Sequence, residues 1–114
     1  MSRADAALSA HVRDAAPLFA ALGDETRFQL LVRLSMRGPG SISRLRGGSP
    51  VSRQAITKHL VVLSEAGLVR SSRRGRERIW ELEPKRLSDA HQYLDRISKQ
   101  WDDALDRLKS FVED

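Results

Sequence analysis

The stretch from Pro84 to the C-terminus limits most sharply what this chain can become. Leu87, Leu94, Trp101 and Leu108 recur every seven residues, and so do Ala90, Ile97, Ala104 and Phe111, so apolar side chains alternate at spacings of three and four. Such a stripe belongs to one long amphipathic helix, with Pro84 acceptable in its first turn, and it requires another helix to lie against. The partner is the first helix of the same molecule, the same helix of a second molecule, or both in one bundle.

A chain of 114 residues makes one small domain, here residues 1–114, with room for a modest core and little for a free-standing catalytic cleft. The formal charge of +5 favours polyanionic partners. It is unevenly spread. Between Arg37 and Arg78 ten basic residues stand against two acidic ones, Glu65 and Glu77, leaving +8; the other ten basic and thirteen acidic residues leave −3. There is no cysteine, which excludes disulfides, thiolate metal sites and thiol nucleophiles and points to the cytoplasm. The opening segment MSRADAALSAHVRDAAPLFAAL carries charges through its apolar residues, unlike a signal peptide or a membrane span, so neither export nor a membrane partner is expected.

Along the chain, Leu8, Val12, Leu18, Phe19 and Leu22 predict a first helix, interrupted at Pro17 and ended by Gly23. Asp24 is placed to cap a second, with Glu25 in its first turn and Phe28, Leu31 and Leu34 as its apolar stripe, until Gly38-Pro39-Gly40 stops it. Ser41 caps a short third helix through Ile42 and Leu45, ended by Gly47-Gly48. Ser52 caps a fourth, VSRQAITKHLVVLSEAGLV, which runs to about Ala66 with Gly67 in the left-handed C-terminal position. On that helix Ile56, Leu60 and Leu63 face a core, Gln54, Thr57, Lys58 and Val61 point away, and Arg53 lies at the border. Two β-prone stretches follow, 68–73 and 77–82, joined by a tip containing Arg74-Gly75-Arg76; Trp80 and Leu82 share the face that packs on the domain.

The expected fold is mainly α with a small β-hairpin. The order of elements, α-α-α-α-β-β-α, is that of a winged helix-turn-helix. Three segments in the right order, LGDETRFQLLVRL (22–34), SRQAITKHLVVLSEAGLV (52–69) and GRERIWEL (75–82), resemble the ArsR-type family of bacterial transcriptional repressors over nearly the whole chain. The resemblance implies a homodimer on a double-stranded DNA operator with inverted half-sites, the helix from Ser52 in the major groove and the hairpin as a wing. The expected dimer contacts are Leu8 and Val12 near the N-terminus and Leu94, Ile97, Trp101, Leu105 and Leu108 near the C-terminus.

A polar helix face is by default merely solvated, but here +8 is concentrated around it. Arginine pairs bidentately with guanine, glutamine with adenine, and the methyl of Thr57 or the side chain of Val61 suits thymine. Arg53 and Gln54, in the first turn, are the expected readers. Lys58, Arg44 and the wing arginines Arg73, Arg74 and Arg76 are expected on phosphates or in the minor groove, and Ser52 lies at the same helix start.

Other readings carry less weight. His59, beside Ile56, Leu60 and Leu63, fits a packed, hydrogen-bonded role; Trp80 and Trp101 fit core and seam. Cysteine-based metal sensors of the family carry Cys-x-Cys where Ser41 and Ser43 stand, and hydroxyls are poor ligands for soft metals. Asp89-Ala90-His91 matches the first half of a second family zinc site, but Asp102 and Leu105 occupy the later positions, so a zinc-responsive repressor using Asp89 and His91 is the weaker alternative and no metal or cofactor is expected. His11, His59 and His91 fall on three elements with no serine and carboxylate setting, so no enzyme is expected. A winged-helix module used only for protein contact predicts an apolar wing, not an arginine-rich one. Nothing in the sequence names an effector.

Overall fold

The computed structural model describes residues 2–113. Four of its helices begin at a side-chain cap, each accepting a bond from the amide three residues on: Ser2 before α1 (Arg3–Leu22), Asp24 before α2 (Glu25–Arg37), Ser41 before α3 (Ile42–Arg46) and Ser52 before α4 (Arg53–Glu65). The strands β1 (Val69–Arg74) and β2 (Glu77–Leu82) form an antiparallel hairpin, and α5 (Pro84–Glu113) completes the chain. This is the winged helix-turn-helix arrangement that the order of elements predicts.

The end of α4 shows why the chain turns where it does. Leu68 N–H donates to Leu63 O and Gly67 N–H to Ser64 O, both at 2.9 Å, the reciprocal pair that closes a helix through a left-handed residue. Gly67 takes that residue's place with φ +78°, and a Cβ there would also stand 2.8 Å from Arg86 Cγ. Because the Leu68 amide is committed to the helix end, the first strand starts at Val69, one residue later than the sequence pattern suggests.

Every element contributes to one apolar core. Leu18 and Ala21 come from α1, Leu30, Leu31 and Leu34 from α2, Leu45 from α3, Ile56, Leu60 and Leu63 from α4, Val69 and Trp80 from the hairpin, and Ala90 from α5. Trp80 also ties the hairpin to the α2–α3 connection: its backbone exchanges two hydrogen bonds with Gly40, at 2.9 and 3.0 Å.

Two expectations need correction. α1 is not interrupted; it is continuous through Pro17, although that ring removes the amide that the Arg13 carbonyl would use. Ala15, Leu18 and Ala21 are buried on either side of it, and Arg86 Nη2 donates to the neighbouring Asp14 carbonyl at 3.1 Å. Anchoring on both sides of the proline keeps the helix continuous. The second concerns α2, which buries Leu30 together with Leu31 and Leu34 and leaves Phe28 55% exposed. Phe28 lies about 200° around the helix from Leu30, so once Leu30 turns inward Phe28 faces out.

Candidate nucleic-acid interface

The sequence that builds α4 sorts it into two sides. Ile56, Leu60 and Leu63 are buried, while Arg53, Gln54, Lys58 and Val61 are exposed and Thr57 is half-buried. Thr57 Oγ1 donates to Arg53 O at 2.9 Å, so its hydroxyl is taken up by the helix and its methyl remains for an apolar contact. Gln54 and Lys58, one turn apart, share the outward flank.

Arg53 is held differently from its neighbour. Its Nη1 donates to Ser43 Oγ of α3 at 2.7 Å, and the two residues line a concavity at the α3–α4 turn with Arg46, Gly47, Gly48 and Ser49. Arg46 fixes that turn by donating Nε to Val51 O at 2.9 Å. Ser52 Oγ accepts from the Ala55 amide at 3.1 Å, so its cap role occupies the acceptor. Arg44 is exposed on α3, beside the turn.

In the hairpin, Arg73, Arg74 and Arg76 are all exposed. Gly75, with φ +63°, is the first of the two residues between the strands, and among the described residues none other than glycine has positive φ, which fits a type II′ turn. Two basic residues that contribute to the +8 of this region have structural tasks instead. Arg46 holds the turn, and Arg70 pairs with Glu81 at 3.0 Å and Glu83 at 3.1 Å; the hydrogen bond that its Nε donates to Glu81 raises the affinity of that guanidinium for its proton. Arg78, which the sequence reading does not single out, is exposed beside the tip and donates to Ser71 Oγ at 2.8 Å. The alternation of strand faces was the signal that could have found it.

His59 has the structural role expected of it. Half-buried between α2 and α4, its Nδ1 lies 3.4 Å from Arg27 Nη1 and 3.8 Å from the Asp24 carboxylate. The Arg27 amide, donating to Asp24, is the main reason that the carboxyl sits below its ordinary pKa.

No protein-family model matches the chain. Its sequence is 39% identical over 93 residues to the HTH-type transcriptional regulator Rv2034 of Mycobacterium tuberculosis, covering 82% of this chain and 83% of that protein. The structure superposes on the ArsR-like transcriptional regulator from Rhodococcus sp. RHA1 with a TM-score of 0.70 and 41% identity, over 87% of this chain and 92% of the other. The chain belongs to the ArsR family of helix-turn-helix transcriptional regulators. A homodimeric winged helix-turn-helix DNA-binding domain from Mycobacterium bovis shares the fold at a TM-score of 0.61 and 22% identity, over 92% and 91% of the two chains.

Within this ArsR-family chain, three of the four residues at the metal positions have partners in the protein itself. Ser41 Oγ caps α3 and Ser43 Oγ receives Arg53. Asp89 is bound by Arg86 Nη1 at 3.1 Å, and His91 is exposed on its own. Among the described residues of the single chain no three or more His, Asp or Glu side chains converge.

The residues named for dimer contact lie along α1 and α5. Leu8, Val12, Leu94, Trp101, Leu105 and Leu108 are between 49% and 64% exposed in the single chain, and Ile97 is half-buried. Leu8, Val12 and Ile97 border a cleft of about 120 Å³ between the two helices, with His11 and Tyr93 among its polar members. Where α1 meets α5, the Tyr93 hydroxyl donates to the Asp14 carboxylate and is the largest cause of that group's lowered pKa; Arg86 Nη1 adds a 3.4 Å contact.

Among the described residues no helix is long and apolar enough to cross a membrane.

Proposed function

We propose that this ArsR-family chain acts in the cytoplasm as a homodimeric repressor that occludes a promoter by binding an operator of inverted half-sites. Residues 1–114 serve as one winged helix-turn-helix domain, with α1 and α5 as its dimerisation helices. The observation that carries the reading is the exposed flank of α4: Gln54 and Lys58 face solvent on a helix whose other side is locked into the core, and Arg44 of α3 is exposed beside it. Such a flank enters a major groove without disturbing the fold.

Within it, Gln54 reads bases and the Thr57 methyl touches a pyrimidine, whereas Lys58, Arg44, Ser52 and the wing arginines hold the backbone. Arg53 divides its donors between Ser43 and DNA. The bond to α3 draws its guanidinium toward the α3–α4 turn, which favours a phosphate beside the groove over a base on its floor.

Dimer formation is supported by the apolar stripe on α1 and α5 and by the homodimeric state of the Mycobacterium bovis domain that shares this fold. The role is non-catalytic, in keeping with relatives that are transcriptional regulators.

Selection of binding sites from random duplexes by the purified protein tests the reading directly. An inverted repeat should emerge. Recovery of duplexes without a shared motif would overturn it.

A further inference from the structure

The hairpin has two unlike faces. Side chains alternate across it, so the pairs Val69/Leu82, Ser71/Trp80 and Arg73/Arg78 share one face, and Arg70/Glu81, Ser72/Ile79 and Arg74/Glu77 share the other. On the second face the register balances the charges: Arg70 is paired with Glu81 and Glu83, and Arg74 stands opposite Glu77, although no contact within 4.0 Å joins those two among the described residues. On the first, Val69 and Trp80 rest on the core at one end, and Arg73 stands directly across from Arg78 at the other. Both arginines are exposed, and neither has a carboxylate within 4.0 Å among the described residues.

Like charges directly opposite in an antiparallel ladder destabilise the strands that carry them. Arg78 is drawn aside by its bond to Ser71 Oγ, on the same face as Arg73 but one pair nearer the core. That bond fixes the guanidinium without neutralising it. An anion with several acceptor oxygens stabilises both cations at once, and a guanidinium meets phosphate oxygens with two parallel N–H bonds.

Resting on the DNA-binding reading above, we propose that the wing meets the duplex backbone through its Arg73–Arg78 face. Both guanidiniums contact phosphodiester oxygens, and Ser71 is a positioning residue for Arg78. Arg74 lies on the neutralised side and contributes less. The repulsion between Arg73 and Arg78 is carried by the free protein and relieved on the duplex, so these two residues are worth more to binding than to folding.

The test uses the full chain with Arg73→Gln, Arg78→Gln and Arg74→Gln, each followed by two readouts: affinity for one duplex over a range of salt, and thermal melting of the free protein at low salt. Arg73→Gln and Arg78→Gln should each reduce the salt slope by about one, while the melting temperature holds or rises. Arg74→Gln should change the slope by less than half as much and melt earlier, since it removes an opposite charge across the ladder from Glu77. Ser71→Ala should weaken binding in the unaltered protein and have no further effect in the Arg78→Gln background. A slope change larger for Arg74→Gln than for the other two overturns the assignment. So does lower melting of both Arg73→Gln and Arg78→Gln with unchanged DNA affinity. If the unaltered protein bound no duplex at any salt, the regulator reading would fall, which separates that failure from a wrong choice of face.

Discussion

α4 and α5 carry the same kind of apolar stripe and meet different fates. In α4, Ile56, Leu60 and Leu63 are at most 1% exposed, whereas in α5 Leu94 and Trp101 remain 49% and 64% exposed and only Ala90 is buried. What each helix leaves outside is also different. α4 leaves Gln54 and Lys58, polar and cationic, beside Val61 and Val62; α5 leaves leucines, a tryptophan and Phe111. The first surface suits a hydrated polyanion, and the second suits another apolar surface. A helix pattern alone therefore does not say what completes it. The difference lies in how much of each stripe the chain itself can cover, and α1, with 20 residues against the 30 of α5, is too short to shield the whole of it.

That contrast can be broken most forcefully inside the stripes. Leu60→Ala should cost about 2–5 kcal/mol in a denaturant melt, because loss of a fully buried isopropyl group leaves a cavity among fixed neighbours. Trp101→Glu should leave the protomer folded and change assembly, with monomers in sedimentation, since a charge in a helix–helix seam finds no partner there. A Trp101→Glu protein that melted as early as Leu60→Ala would mean that α5 is covered within its own chain.

The outward side of α4 offers a smaller effect. Gln54→Ala should weaken the selected operator by about 1–3 kcal/mol and flatten base preference, with folding unchanged. Arg53→Ala should instead weaken all duplexes alike, if its bond to Ser43 directs it to the backbone. Equal loss of preference in both variants would restore Arg53 as a reader.

Smallest is an acid effect confined to the α1–α5 junction. The Tyr93 hydrogen bond, helped by Arg86, depresses the Asp14 pKa below the ordinary carboxyl value of 3.8, so its contribution is fully present above that value and is lost as pH falls through the lower folded value. Melting followed from pH 6 downward, a range of about three units, should show Asp14→Asn losing less than the unaltered protein below pH 3.8. Parallel curves would remove the role assigned to this contact.

Much of the fold was legible before any coordinate. The caps at Asp24, Ser41 and Ser52, the left-handed Gly67, the buried Ile56, Leu60 and Leu63 and the inward Trp80 all follow from the period and local hydrogen-bond needs of the chain, which act over three to five residues. The exposed α4 flank was legible for the same reason. Arg78 was missed because charge was counted along the chain instead of by strand face.

The sequence by itself thus determined where α2, α3 and α4 begin and end, which side of α4 is apolar, and that the middle of the chain is cationic. Only the tertiary structure decided which arginines are free. Arg70 is neutralised by acids 11 and 13 residues away, Arg53 is tethered 10 residues back to Ser43, and Arg86 grips Asp14 across 72 residues. It also decided that α1 continues through Pro17 and that Phe28 faces outward. Local rules set the elements because their causes lie within one helical turn, whereas a side chain's availability depends on neighbours that only folding brings near.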